Sequence, residues 1–291
     1  MINLLDSAKT DYSTKKGIYP FIVQIGTGGT GGYLVQHIAQ LLGTSKRSAT
    51  YVIADPDVIE EKNLGNQLFL ASEVGLKKAD VLASRYSYAY NIDIRSKTTG
   101  YIESVEDVLE LFNTDYLTDI SYSDILMPIV IGCVDNNYTR KVIHDFIKEN
   151  AGIYIDAGNE STVVPADWQT RPKAQWTEDE LKAFNESGWS GQIVTGLNLN
   201  LAKLPTVADA FPDILETDDK ERPSSLSCTE LTASEPQRLI VNKFSALAIL
   251  SVLTEIVEDM TLSSHITFFQ AKKGYMRSTE ANKQTKEPQS L

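Results

Sequence analysis

The run Gly26-Thr27-Gly28-Gly29-Thr30-Gly31 is the first stretch of this chain whose residue types and spacing could do chemistry. Without Cβ atoms, Gly26, Gly28, Gly29 and Gly31 let backbone N–H groups approach a phosphate, and a helix beginning there adds the positive end of its dipole. Gly31 is followed by Gly32 and Tyr33 rather than by lysine and a hydroxyl residue, which argues against a P-loop. Taken alone, the run serves NAD and ATP equally, and a glycine-rich turn also permits close helix-sheet packing. Asp55 closes a later apolar run at a distance suited to accepting hydrogen bonds from ribose hydroxyls, though Asp55-Pro56-Asp57 also reads as a strand-end turn. Asp135 follows another apolar run, where open parallel sheets bind ligands; the alternative is that it caps the helix starting near Asn137.

These residues need a scaffold that brings strand ends together. Residues 21–25 form an apolar run, 33–42 repeat apolar residues at helical spacing, and 51–54 are apolar again, which predicts strand, helix and parallel strand. Helices are predicted over 73–90, 105–112 and 137–150, an exposed strand over 92–98, and buried strands over 129–133 and 153–156. Residues 159–191 break the pattern. They hold Trp168, Trp176 and Trp189 and one helical stretch, 178–185, and read as an insertion or lid. A strand over 192–199, a short helix over 207–215 and a polar loop with Pro223 follow. Pro236 then opens an amphipathic helix to about 259, and 266–271 is the last strand. The expectation is an α/β, Rossmann-like, doubly wound and mostly parallel sheet with an antiparallel distal portion. Residues 1–273 form one domain with an insertion at 160–190 and a crossover loop at 216–234; 274–291 read as a polar, flexible tail.

A chain of 291 residues with 42% hydrophobic content can bury one sizeable core. Its longest apolar stretch, 244–253, falls short of the roughly 20 residues that span a bilayer. The first sixteen residues lack the features of a secretory signal, so the expectation is a cytoplasmic protein with no membrane partner. A net charge of -12 opposes a nucleic-acid backbone. Cys133 and Cys228 are the only cysteines, too few for a four-cysteine zinc site. His37, His144 and His265 lie far apart and read as surface or packing residues.

The segment from Asp55 through Val58, Asn63-Leu64-Gly65-Asn66-Gln67, Gly75-Leu76-Lys77-Lys78-Ala79 and Cys133-Val134-Asp135-Asn136 with Arg140 completes a series begun by the glycine run. Together these motifs closely resemble the ThiF/MoeB-type adenylating enzymes of the ubiquitin-activating-like superfamily. Asp156 to Asn159 and Gly191-Gln192 resemble later elements of the same family, whose paired-cysteine zinc motifs are missing here. The resemblance implies a nucleotide site formed by the four glycines, Asp55, Asp57, Asn63, Gln67, Lys78, Asp135 and Asn136. Asp55 would hold the ribose, Asn63 and Lys78 the phosphates, Gln67 would support that cluster, and Asp135 would bind Mg2+; Lys77 is the rival to Lys78. The chemistry agrees, because attack of a carboxylate on an α-phosphate builds charge that a lysine and a magnesium ion stabilise.

The implied reaction is ATP- and Mg-dependent adenylation of the C-terminal carboxylate of a small ubiquitin-like or sulfur-carrier protein by a homodimer. A thioester on Cys228 is a further implied step, against which stands an incidental cysteine. Asn66 occupies the place where the family usually carries arginine, with Arg140, Arg222 or a second protomer's arginine as replacements. Competing readings are an NAD-dependent oxidoreductase, an ATP-dependent dehydratase acting on tRNA, and a non-catalytic partner subunit.

Overall fold

The computed structural model describes residues 1–10, 13–45, 47–216, 222–225 and 236–282. A short strand β1 (Ile2–Asn3) and helix α1 (Leu4–Ala8) lead into β2 (Gly17–Ile25), α2 (Gly29–Thr44), β3 (Thr50–Ala54), α3 (Lys78–Tyr90) and β4 (Ile94–Lys97). Then come α4 (Val105–Leu111), β5 (Asp124–Gly132), α5 (Asn137–Glu149), β6 (Gly152–Asn159), α6 (Glu178–Glu186), β7 (Ser190–Asn198) and β8 (Lys203–Leu204). Two short helices, α7 (Val207–Ala210) and α8 (Asp213–Glu216), precede the long α9 (Leu239–Thr254), and β9 (Thr261–Leu262), β10 (Ser264–Gln270) and β11 (Tyr275–Glu280) close the described chain.

Among the described residues nine strands make one sheet in the order β11-β10-β7-β6-β5-β2-β3-β4, with β8 on the flank of β7. From β4 to β6 the neighbours run parallel; β7, β10 and β11 are added antiparallel. Helices cover both faces, so the parallel strands are apolar without a polar alternate. Along β2, Ile22 packs into the core under α2, α3 and α9, with Leu34, Ile38, Leu82 and Ile249. Its neighbours Phe21 and Val23 turn into the opposite core with Val130 and Phe146 of β5 and α5. This two-residue alternation is the pleat dividing one apolar run between two cores. Helix α9 with its final turn, Glu255–Asp259, runs 21 residues and is apolar enough to pass for a membrane span by length and composition, yet it packs along α2 in the core.

Three expectations are corrected. The helix expected from residue 73 starts at Lys78, because Glu73 ends a 3-10 turn and Gly75 takes a left-handed φ of +90° that breaks the run. The helix expected over 207–215 is split into α7 and α8 at Pro212, whose missing N–H and fixed φ interrupt a helix. The polar tail expected from Gly274 instead begins with β11, paired antiparallel to β10 from Gln270↔Tyr275 to Ser264↔Glu280. As an edge strand, β11 is exposed along nearly its whole length, with only Met276 half-buried, so its residues carry no apolar periodicity to betray it.

Candidate functional site

β2 lies between β3 and β5, with Ile25 level with both Ala54 and Gly132, so three strand ends meet where the winding direction reverses. Such a switch point is where open α/β sheets bind ligands. The Gly26 N–H donates to the Ala54 carbonyl at 2.9 Å, and the Cys133 N–H to the Ile25 carbonyl at 2.8 Å. Gly26 has a φ of +94°, and a Cβ there would strike the Cys133 carbonyl; one at Gly31 would strike the Gly26 carbonyl. Gly28 is different. It opens α2 with no side-chain cap, and a Cβ on it would meet only Gln67 Nε2, at 3.8 Å. The helix N-terminus is thus left open as a cradle whose free N–H groups suit an anion.

Two buried polar side chains brace this loop. Gln24 Nε2 donates to the Gly26 and Gly31 carbonyls (2.9 and 3.0 Å), while Gln24 Oε1 accepts from Tyr51 Oη at 2.6 Å. Asp55 Oδ2 accepts from Thr27 N (2.7 Å) and Thr27 Oγ1 (2.8 Å), and Asp55 Oδ1 accepts from the Asp57 N–H. Asp55 therefore fastens the glycine loop to the turn that follows β3, in addition to any role toward a ribose.

That turn carries the cation. Lys78 is 6% exposed; its Nζ lies 2.8 Å from Asp57 Oδ2, and its N–H donates to the Asp57 carbonyl. Tyr101 Oη donates to the other Asp57 oxygen at 3.3 Å. Lys77 instead bonds the Pro56 carbonyl, so the buried ammonium of the pair belongs to Lys78. Asn63 is buried in the 3-10 turn Glu61–Gly65, its Oδ1 accepting from the Glu60 N–H at 2.9 Å, and its carbonyl receives the Gln67 N–H. Asn66 Oδ1 and Gln67 Oε1 are buried without a partner, polar atoms a bound ligand could satisfy.

At the end of β5, Asn136 caps α5 by accepting from the Thr139 N–H at 2.8 Å, which removes the capping role from Asp135. Asp135 is exposed at the rim. Among the described residues no cluster of three or more His, Cys, Asp or Glu could hold a metal ion alone. Magnesium, which keeps several waters and shares one or two carboxylates with substrate phosphates, suits a lone exposed Asp135.

Arg140 does not replace the missing arginine. Its Nε lies 3.2 Å from both oxygens of buried Asp156, and its other nitrogens donate to Asn137 Oδ1 and to the Val134 and Ala157 carbonyls. It pins the loop that carries Asp135. Burial, then the charge of Asp156, pushes the Cys133 thiol well above its usual range, with Arg140 opposing, so Cys133 is a packing residue. Cys228 lies outside the described residues. His144 is buried against Thr206 (2.5 Å) and His265 Nε2 meets the Pro205 carbonyl (2.9 Å), both remote from the glycine loop in the fold.

Gln24 and Asn242 belong to no short motif. Gln24 was detectable as the one amide inside an apolar strand. Asn159 Nδ2 donates to Thr30 Oγ1 (3.0 Å), to Gln237 Oε1 (3.4 Å) and to Asn242 Oδ1 (2.9 Å), joining the end of β6, the first turn of α2 and the start of α9.

The ThiF family model matches residues 20–290. No curated protein matches the sequence significantly. Among solved structures, E. coli MccB with ATP is 14% identical, with a TM-score of 0.55 over 96% of this chain and 66% of that one. E. coli MccB with AMPCPP and MccA is 13% identical, with a TM-score of 0.56 over 94% and 66%. PaaA is 15% identical, with a TM-score of 0.54 over 90% and 64%. This chain thus spans just under two thirds of each, and at these identities the likeness is one of fold: a mostly parallel, helix-flanked sheet. With most of its length matched and the glycine loop, Lys78 and Asp135 standing at one rim, the chain belongs to the ThiF family.

Proposed function

We propose that this chain transfers AMP from ATP to a carboxylate, releasing pyrophosphate. The observation carrying this reading is that the open Gly28 cradle, the Asp57–Lys78 pair and Asp135 follow the carboxyl ends of three adjoining strands. A carboxylate oxygen bonds to the α-phosphorus, the bond to the β-phosphate oxygen breaks, and pyrophosphate leaves with that electron pair. The N–H groups of α2 and the Lys78 ammonium face the charge that develops on phosphate oxygens. Asp57 holds Lys78 in place beforehand and keeps a buried ammonium paired. Magnesium held at Asp135 supplies charge neutralisation on the phosphates when bound.

The acceptor we favour is the C-terminal carboxylate of a small ubiquitin-like or sulfur-carrier protein, used by a homodimer, with Cys228 as the residue to test for a subsequent thioester. MccB has been solved with MccA, which supports screening that kind of acceptor in parallel. Asn66, in place of an arginine, favours one second reading: a partner subunit that binds without turnover.

The test is pyrophosphate exchange into ATP with candidate acceptors. Exchange in the parent chain and near-complete loss in Lys78→Ala and Asp135→Ala are expected. Equal exchange in all three would overturn the assigned roles, and acceptor binding without any exchange would support the partner-subunit reading.

A further inference from the structure

Helix α9 brings to the glycine loop a side chain that the motifs do not contain. Asn242 is 1% exposed on the inward face of α9, among Val241, Ser245, Ala246 and Ile249. The orientation of its amide is set by its neighbours. Asn242 Oδ1 accepts from Asn159 Nδ2 at 2.9 Å and from Thr30 Oγ1 at 3.3 Å. Asn159 is oriented in turn, because Ser245 Oγ donates into its Oδ1. With Oδ1 committed to two donors, Asn242 Nδ2 must face the other way.

It faces Gly29, where a Cβ would collide with it. No group among the described residues accepts from this Nδ2. An amide N–H of a side chain only 1% exposed, with no protein acceptor, is rare in native proteins and suits a ligand. Gly29 is also the first residue of α2, a helix of 16 residues whose leading N–H groups have no intrahelical partner and no side-chain cap. Two independent sets of donors, one from the helix backbone and one from α9, therefore lie at the same residue, Gly29.

We propose that Asn242 Nδ2 donates a hydrogen bond to a phosphate oxygen of the nucleotide bound at the glycine loop. This rests on the nucleotide reading of the site given above. The donor is neutral and fixed by Asn159, Thr30 and Ser245, so it needs no reorganisation when a phosphate arrives, the condition under which such donors stabilise charge best. It also accounts for glycine at position 29, since a side chain there would displace the amide.

The test compares ATP, AMP and adenosine binding to the full chain by calorimetry or competition. Asn242→Asp keeps an oxygen acceptor for Asn159 and Thr30 but removes the N–H; Asn242→Leu removes both functions at similar volume. Both variants should weaken ATP and AMP binding about 10-fold to 100-fold, the range for a hydrogen bond to a charged group, and leave adenosine within about twofold. Melting temperatures without ligand check the fold, and should one variant not fold, the other carries the comparison. ATP affinity within about threefold of the parent, or equal losses for AMP and adenosine, would overturn the role of Asn242 alone. A parent chain that binds no nucleotide would overturn the nucleotide reading and this inference together.

Discussion

The parallel half of the sheet and its antiparallel extension serve the same rim by different means. In the parallel half the glycine loop and the carboxylates stand within a few positions of a strand end, Gly28 after β2, Asp55 and Asp57 after β3, Asp135 after β5, and Lys78 returns to Asp57 from the start of α3. Strand register alone brings these ends level, and hydrogen bonds donated by Gln24 and Arg140 and accepted by Asp55 fasten the loops between them. The antiparallel half acts at long range. Its insertion anchors the start of α9, where Arg238 donates to the Ser187 carbonyl at 3.1 Å and stacks over Trp189 (4.0 Å) and Phe184 (4.7 Å). Thr162 bonds the Pro236 carbonyl beside it, and α9 then delivers Asn242 to Gly29. One half thus reaches the rim through short sequence motifs and the other through packing, and the two should differ in how they tolerate change.

The sharpest contrast is expected at Arg140. Arg140→Met leaves Asp156 buried without its partner and should cost about 3–5 kcal/mol in urea unfolding, largely recovered when Asp156→Leu is added. A cost below about 1 kcal/mol would mean that the parallel rim is not locked as described. Next in size is Gly31→Ala, whose Cβ meets the Gly26 carbonyl; about 1–3 kcal/mol is expected, whereas Gly65→Ala, with open space around it, should stay within about 0.5 kcal/mol. In the antiparallel half, Arg238→Ala loses stacking and the hydrogen bonds to the Ser187 and Phe184 carbonyls at a half-buried site. About 0.5–1 kcal/mol is expected, with faster amide exchange at the start of α9 rather than across the sheet.

A smaller effect should appear with pH. Burial lowers the pKa of His144, with Asp209 opposing, Lys148 adding and Asp145 opposing. The unfolded chain therefore takes the proton first, so the contribution is fully present above pH 6.5 and is lost as pH falls from there toward the lower folded value. His144→Gln should flatten stability over that window, and an unchanged slope would remove His144 as its source. The smallest expected signal is a slow reaction. In a Cys228→Ser background, Cys133, half-buried against the core, should alkylate slowly at pH 8 until denaturant is added, because desolvation and the charge of Asp156 raise its thiol pKa. Rapid labelling of the folded protein would break the picture of a closed parallel half.

Much of the rim was legible beforehand because its chemistry is local. A glycine run at a strand end, Asp55, the Lys77–Lys78 pair and Asp135 each announce themselves within a few residues, and the alternation of apolar runs with helical spacing specified the sheet that aligns them. The open choices were of another kind. Lys77 against Lys78, and Asp135 as rim carboxylate against Asp135 as helix cap, are decided by which way neighbouring side chains point, and one residue of helical or turn geometry reverses that direction. β11 escaped notice because a solvent-exposed edge strand needs no apolar pattern.

By itself, then, the amino-acid order determined the fold class and the motif residues at the three strand ends, since apolar periodicity and turn chemistry act between near neighbours. Only the tertiary structure decided that Arg140 is committed to Asp156, that Asp55 braces the glycine loop, and that Asn242 faces Gly29. Those contacts join residues far apart in the chain. Whether two such groups meet depends on how whole helices pack, and no local spacing encodes that.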